Sequence, residues 1–172
     1  MRYEGFANVA CPILSESGKS GESHTAAYIV TGFGKTELWK IGLSGQGNVT
    51  SSNVLWRARK QMPKLPTPVL IDGQIYMVND QGVACCLDAE IGERVWTARL
   101  GGNYSASPVF GDGKVYFASE DGRVTVVQAG EKPAIVGENQ LAGRIKATPA
   151  IIDRAIFVRT EGHVYRIENL DE

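Results

Sequence analysis

The feature that most limits how this chain can fold is a repeat of about 40 residues. Thr67-Pro68, Ser107-Pro108 and Thr148-Pro149 open three similar stretches, at steps of 40 and 41 residues. Asp72, Asp112 and Asp153 follow them, then Tyr76, Tyr116 and Phe157, then Gly82, Gly122 and Gly162. The best-formed copy, Thr67 to Leu100, reads TPVLIDGQIYMVNDQGVACCLDAEIGERVWTARL. Its turn residues divide it into four short antiparallel strands: Val69 to Ile71, Gln74 to Val78, Val83 to Asp88 and Arg94 to Leu100. Asp72-Gly73 is a two-residue hairpin signal, because such a turn needs positive φ and glycine supplies it without strain. Four short strands repeated at this period describe the blades of a β-propeller.

The second strand of each copy supports that reading. Gln74-Ile75-Tyr76-Met77-Val78, Val115-Tyr116-Phe117-Ala118 and Ala155-Ile156-Phe157-Val158 are nearly continuous in apolar residues. Such strands need cover on both faces, which blades stacked around an axis supply. The N-terminal stretch fits the same template with two insertions. Cys11-Pro12 stands for Thr67-Pro68, and the polar loop Ser15 to His24 replaces the tight hairpin. Gly34 to Trp56 spans 22 residues against 14 from Gly82 to Trp96, which assigns the second insertion to one swollen turn.

The expected architecture is therefore all-β, a partial propeller of about four blades with four-stranded antiparallel repeats. Residues 11–59 form blade 1, 67–100 blade 2, 107–141 blade 3 and 148–172 an incomplete blade 4. Residues 1–10 are a preceding linker or strand, or a makeshift outer strand for the last blade. Four blades are few for a closed ring, so the chain reads as the C-terminal half of a longer propeller. Bare terminal blades predict self-association, as paired half-rings or as aggregates.

Composition bounds the function. With 18 basic and 19 acidic residues the net charge is -1, which offers no footprint for nucleic acid or an anionic membrane. The densest basic run, Arg57, Arg59, Lys60 and Lys64, reads as a solvated loop after a strand, with no aromatic platform beside it. No apolar run reaches the roughly 18 residues of a membrane span. The first residues lack a signal-peptide layout, which taken literally leaves this form in the cytoplasm and means nothing if the chain is a piece.

Several motifs tempt a sharper reading. Cys85-Cys86 lies within a strand, where neighbouring side chains point to opposite faces, so packed free thiols are expected. Gly18-Lys19-Ser20 and Gly34-Lys35-Thr36 end like a phosphate-binding loop, but Ile13 and Ile29 stand where the first glycine belongs. Asn48-Val49-Thr50 matches a glycosylation acceptor and reads better as a turn. His24 and His163 are isolated, without carboxylate or cysteine at metal-ligand spacing, so no metal site is assigned. No catalytic set and no cofactor-binding residues are assigned either.

Cys86-Leu87-Asp88-Ala89-Glu90-Ile91-Gly92-Glu93-Arg94-Val95-Trp96 resembles the tryptophan-docking motif of quinoprotein (PQQ-type) propellers, keeping Asp88, Gly92, Glu93 and Trp96. It departs from that motif at Cys86 and Ile91. The resemblance implies that Asp88 and Gly92 shape a turn while Trp96 packs flat on the neighbouring blade as a structural wedge. Gly45 to Thr50, Val54 to Arg57, Arg99 to Phe110 and Arg159 to Ile167 resemble the C-terminal half of bacterial secreted PQQ-like repeat proteins. That group is often named after the propeller lipoprotein of the outer-membrane β-barrel assembly machinery. The resemblance implies a periplasmic or secreted location, and as partners another protein or the remaining blades of a longer propeller.

Topology places candidate contacts. Turns between second and third strands share one face with the connections between blades, and loops on a rigid scaffold commonly carry binding. Asn103, Tyr104, Glu120, Arg144, Lys146 and Arg159 lie there as possible ligand or partner contacts. The expected function is a non-catalytic protein-interaction scaffold of the cell envelope. The alternatives are part of a PQQ- and calcium-dependent dehydrogenase for alcohols or sugars, and a carbohydrate- or peptide-binding propeller.

Overall fold

The computed structural model describes residues 9–15 and 25–168. Ser15 to His24 and residues 1–10 therefore fall largely outside the described residues, as do Gly18-Lys19-Ser20, His24 and 169–172. The described chain is built from strands in four antiparallel sheets, each in simple sequence order. The first holds β1 (Ile13–Leu14), β2 (Ala26–Val30), β3 (Leu38–Gly42) and β4 (Val54–Ala58). The second holds β5 (Val69–Ile71), β6 (Gln74–Val78), β7 (Val83–Asp88) and β8 (Arg94–Arg99). The third holds β9 (Val109–Gly111), β10 (Lys114–Ala118), β11 (Arg123–Gln128) and β12 (Ile135–Gln140). The fourth has three described strands: β13 (Ala150–Ile152), β14 (Ala155–Arg159) and β15 (Val164–Glu168). This is a partial all-β propeller.

The turn chemistry acts as its residues dictate. Asp72 and Gly73 both take positive φ, 47° and 73°, as do Asp112 and Gly113 at 50° and 67°. Two positive values match the right-handed twist of the flanking strands. In the fourth sheet Arg154 replaces the glycine, and only Asp153 is positive, at 52°. The repeated Gly82 has a different reason. A Cβ there would stand 2.5 Å from the Gly101 carbonyl oxygen, in the connection leaving β8. Gly122 meets the Leu141 carbonyl oxygen at the same distance. Gly162 meets nothing within 4 Å. The Thr160 N–H donates to His163 O at 2.8 Å, as Ser119 does to Arg123 O, so the β14–β15 turn is one residue shorter. That is why the last glycine recurs at 40 residues and the last threonine at 41.

Two-sided cover is found for the second strands of the second and third sheets, where Ile75, Tyr76, Met77 and Val78 are buried, as are Val115 and Phe117, but in the fourth sheet Ile156 and Phe157 are only half-buried. One apolar layer joins Tyr28, Val30 and Leu38 of the first sheet to Ile75, Met77, Cys85 and Leu87 of the second. The next joins Tyr76, Cys86 and Trp96 to Val115, Phe117 and Val127. The third joins Ala118 and Val124 to Val158 and the half-buried Ile156 and Tyr165.

Three expectations need correction. The extra length in the first sheet is not one swollen turn, since it divides between residues 31–37 and 43–53. The basic run is only partly a solvated loop. Arg57 lies in β4 and stacks over Trp39 at 4.2 Å, and Arg59 pairs with Glu37 at 2.9 Å. Trp39 is distant in sequence, and the adjacent Trp56 is not the ring that Arg57 covers. Nor is the first sheet bare on the face turned away from the second, because Ala27, Trp39 and Ile41 are buried.

Candidate interaction face

Two kinds of repeated contact hold neighbouring sheets together and so position the loops between them. The first explains the Ser/Thr-Pro repeat. Cys11 N–H donates to Thr67 Oγ1 at 2.9 Å, Thr67 N–H to Ser107 Oγ at 2.9 Å, and Ser107 N–H to Thr148 Oγ1 at 3.1 Å. Each hydroxyl thus satisfies a backbone donor of the preceding sheet, and proline then directs the chain into the inner strand.

The second is a two-aromatic grip. Tyr28 Oη donates to Ala89 O at 3.1 Å, and Trp56 Nε1 donates to Glu90 O at 3.0 Å. One sheet further on, the Gly130 N–H donates to Tyr76 Oη at 2.8 Å, and Trp96 Nε1 donates to Gly130 O at 2.9 Å. Asp88 shapes the gripped turn by accepting the N–H groups of Glu90 and Ile91 at 2.8 and 3.0 Å. Gly92 has φ of 74°, and a Cβ on it would lie 2.6 Å from Trp56 Cδ2. Trp96 itself is buried. Gly92 therefore receives the preceding sheet's tryptophan, while Trp96 reaches the following one. In the first sheet Lys40 adds a buried ammonium that pairs with Glu90 Oε2 at 2.5 Å.

With the sheets locked in this way, the β2–β3, β6–β7, β10–β11 and β14–β15 turns and the inter-sheet connections meet along one rim. Asp80 Oδ1 accepts the N–H groups of Lys64 and Leu65 at 3.0 and 3.2 Å, and its carbonyl accepts Tyr104 N–H at 3.1 Å. Glu120 N–H donates to Asn103 O at 2.7 Å, and Glu161 N–H to Arg144 O at 3.0 Å. Arg144 Nη2 pairs with Glu120 Oε2 at 2.7 Å, and Nη1 stands 3.9 Å from Glu161 Oε1. The Ser105 hydroxyl donates to Glu120 Oε1. Those bonds, Ser105 first and then Arg144, hold the Glu120 carboxyl below its ordinary range. The guanidinium nonetheless keeps 51% of its side chain exposed.

The candidates therefore separate. Asn103, Glu120 and Arg144 share one hydrogen-bonded cluster, and exposed Lys146 adds its charge beside Glu120. Arg159 ends β14, exposed and without an ion pair among the described residues. Tyr104 is not a surface contact: it is 1% exposed, in the layer between the second and third sheets. Its backbone runs along the rim but its ring turns inward, and burial raises its hydroxyl above the ordinary value of 10.0. Asp80, Ser105 and Glu161 lie in the same turns and connections and join this network, but were not among the candidate contacts.

The remaining motifs stay structural. Cys85 and Cys86 are free, fully buried and packed into opposite apolar layers. Burial pushes the Cys85 thiol up to about 11 and the Cys86 thiol up to about 12. Gly34-Lys35-Thr36 sits in the β2–β3 turn, where Thr31 Oγ1 bonds Lys35 O at 2.9 Å and Thr36 Oγ1 bonds Gly32 O at 2.8 Å. Asn48 Oδ1 accepts the Thr50 hydroxyl at 2.7 Å, closing a turn. Among the described residues no three His, Cys, Asp or Glu side chains converge as metal ligands. No described helix is long and apolar enough to cross a membrane.

The family model described as outer membrane protein assembly factor BamB matches residues 36–132, more than half of the chain. The chain belongs to that family. A curated BamB from Marinobacter adhaerens is 24% identical over 105 residues, covering 60% of this chain and 26% of the relative. The chain thus matches about a quarter of that protein's length. The crystal structure of BamB from Moraxella catarrhalis superposes with a TM-score of 0.67 at 17% identity, over 84% of this chain and 43% of that one. A quinohemoprotein alcohol dehydrogenase from Pseudomonas putida HK5 superposes at 0.65 with 13% identity, over 88% and 28%. At such identities the superpositions carry the fold, and the BamB repeat carries the family.

Proposed function

We propose that this chain is a non-catalytic protein-interaction scaffold of the cell envelope, in the periplasm or secreted, which engages its partner through the rim around Arg144. The supporting observation is the way Arg144 bridges carboxylates on two sheets, Glu120 and Glu161, while half its side chain stays open. Backbone bonds hold the flanking loops, so a partner would meet a pre-ordered charged surface and little ordering entropy would be lost on binding. Membership of the outer membrane protein assembly factor BamB family supports an assembly role.

The test is a photo-crosslinking residue at Lys146, with Gln128 at the opposite end of its sheet as control. A defined partner crosslinked at Lys146, not at Gln128, and lost in Arg144→Glu is the expected result. Equal labelling at both positions would remove the rim from the proposal. The likeness to an alcohol dehydrogenase carries the competing reading, in which a quinone held with calcium oxidises an alcohol or sugar. Nothing among the described residues supports the metal part of that reading, since they bring no three His, Cys, Asp or Glu side chains together. Turnover of an alcohol on addition of PQQ, calcium and an electron acceptor would overturn the scaffold proposal.

A further inference from the structure

Among the described residues two buried side-chain polar atoms make no hydrogen bond, Tyr104 Oη and Arg123 Nε. Both belong between the second and third sheets. Tyr104 packs there with Phe117 and Val127, and Arg123 reaches across to donate from Nη2 to Leu100 O at 2.8 Å. Arg123, Thr125 and Val127 alternate along β11 and so share its face toward the second sheet. Glu138 stands opposite Thr125 on β12, with its Oε1 3.5 Å from Thr125 Oγ1 and 4.0 Å from Arg123 Nη1. Of the groups around the Tyr104 hydroxyl, Arg123 acts on it most strongly, then Thr125 beside it, then the carboxylates of Asp121 and Glu138. A phenol, a guanidinium, a buried hydroxyl and two carboxylates therefore meet in a layer whose other members are mostly apolar.

The equivalent places in the repeat are not built this way. Register equates Arg123 with Val83, Thr125 with Cys85 and Glu138 with Thr97 of the second sheet. Tyr104 stands four residues before Pro108, as Ile145 does before Pro149. Cys85 and Ile145 are fully buried in apolar layers. The polar set thus belongs to this one layer.

Two unbonded polar atoms in one interior would each carry a full desolvation penalty, which native interiors avoid by supplying a partner. The charges select that partner. A small cation would meet the Arg123 guanidinium, and an anion would meet Asp121 and Glu138. Water accepts from one group and donates to another, so it suits a site of mixed sign.

We propose that an internal water molecule joins the two sheets here, accepting the Arg123 Nε–H, bonded to Tyr104 Oη and donating to Thr125 Oγ1. Three bonds are usual for a buried water. Asn103 O accepts the Glu120 N–H and Ser105 donates to Glu120 Oε1, so the water fixes the middle of the connection that holds this rim carboxylate. The site goes beyond the scaffold reading and needs no partner protein.

The experiment uses the full chain. A high-resolution crystal structure is expected to show one water about 2.7–3.2 Å from both Tyr104 Oη and Arg123 Nε. A direct bond of either atom to another protein group in place of the water would overturn the proposal. So would density there that follows added rubidium or bromide, which would make the occupant an ion. Tyr104→Phe removes the hydroxyl alone. It is expected to raise the unfolding equilibrium constant about fivefold, the loss of one hydrogen bond, and to reduce the long-lived internal waters seen by water-oxygen magnetic relaxation by one. A Tyr104→Phe protein as stable as the parent, or more so, would mean that the hydroxyl had no partner to lose, and would overturn the proposal. Should that variant fail to fold, the parent crystal structure still decides.

Discussion

Gly92 and Trp96 sit in one short motif yet serve different interfaces, and that division makes the residue scale testable. Gly92→Ala places a methyl group 2.6 Å from Trp56 Cδ2 at a φ of 74°. The expected cost is about 2–4 kcal/mol, combining overpacking with a backbone conformation that alanine resists. In a Trp56→Ala background the steric part is gone, and Gly92→Ala should cost only about 1 kcal/mol. Urea denaturation of the four proteins in this cycle measures the coupling, and additive losses would show that the indole is not what demands glycine. The buried thiols supply a pH prediction with a definite sign. Cys85 and Cys86 are pushed up to about 11 and about 12 from an ordinary 9.0, because burial disfavours the thiolate. The folded state therefore holds its protons more tightly, so this contribution is complete below pH 9 and is lost as pH rises through 11 to 12. Tyr76 and Tyr104, also raised by burial, act in the same direction at higher pH. Urea midpoints should fall above about pH 9, and less steeply in a Cys85→Ala/Cys86→Ala protein. Below that pH a thiol reagent should modify only exposed Cys11 while the chain is folded.

Each Ser/Thr hydroxyl at the start of an inner strand closes a bond to the sheet before it, which ties the repeat to assembly at the scale of the element. Ser107→Ala would leave Thr67 N–H without its acceptor, at an expected cost of about 1 kcal/mol. Ser107→Thr keeps the oxygen and should recover most of it. Chemical denaturation checks both, and equal losses in the two variants would point to packing instead of the hydrogen bond. Much of this level was legible before any coordinates. Asp-Gly pairs and apolar runs located β5 to β11, since turn chemistry and two-sided cover depend on local sequence. The tryptophan's role was legible only through resemblance. What local sequence does not carry is the partner across an interface. The hydroxyl bonds join residues about forty positions apart, Arg57 lies on Trp39 from another strand, and Tyr104 turns inward from a connection that otherwise reads as surface. The rim was found as a place, because topology sets which turns share a face. Its hydrogen-bonded members were not, because Asp80, Ser105 and Glu161 differ from ordinary surface residues only in what lies opposite them.

Across the whole molecule, burial is uneven in a way that predicts how the fold comes apart. The second sheet has neighbours on both faces, and Ile75, Met77, Ala84 and Cys86 are fully buried. In the fourth sheet Val158 is buried, but Ile156 and Phe157 are only half-buried, and Val164 is 72% exposed. In a stacked array each unit is stabilised by its own sheet and by its neighbours, so the unit with the least cover opens first. Amides of β13 to β15 should therefore exchange through a local opening, while those of β6, β7 and β10 exchange only with global unfolding. Two core truncations separate this from a single cooperative unit. Phe117→Ala empties the layer between the second and third sheets and should cost about 3–5 kcal/mol, accelerating exchange in both. Val158→Ala removes buried methyl groups from the last layer and should accelerate exchange in β13 to β15 with little effect on β6. If Val158→Ala speeds exchange equally in all four sheets, the sheets are not separable units, and stability is then shared along the stack by the inter-sheet hydroxyl bonds and aromatic grips as strongly as within each sheet.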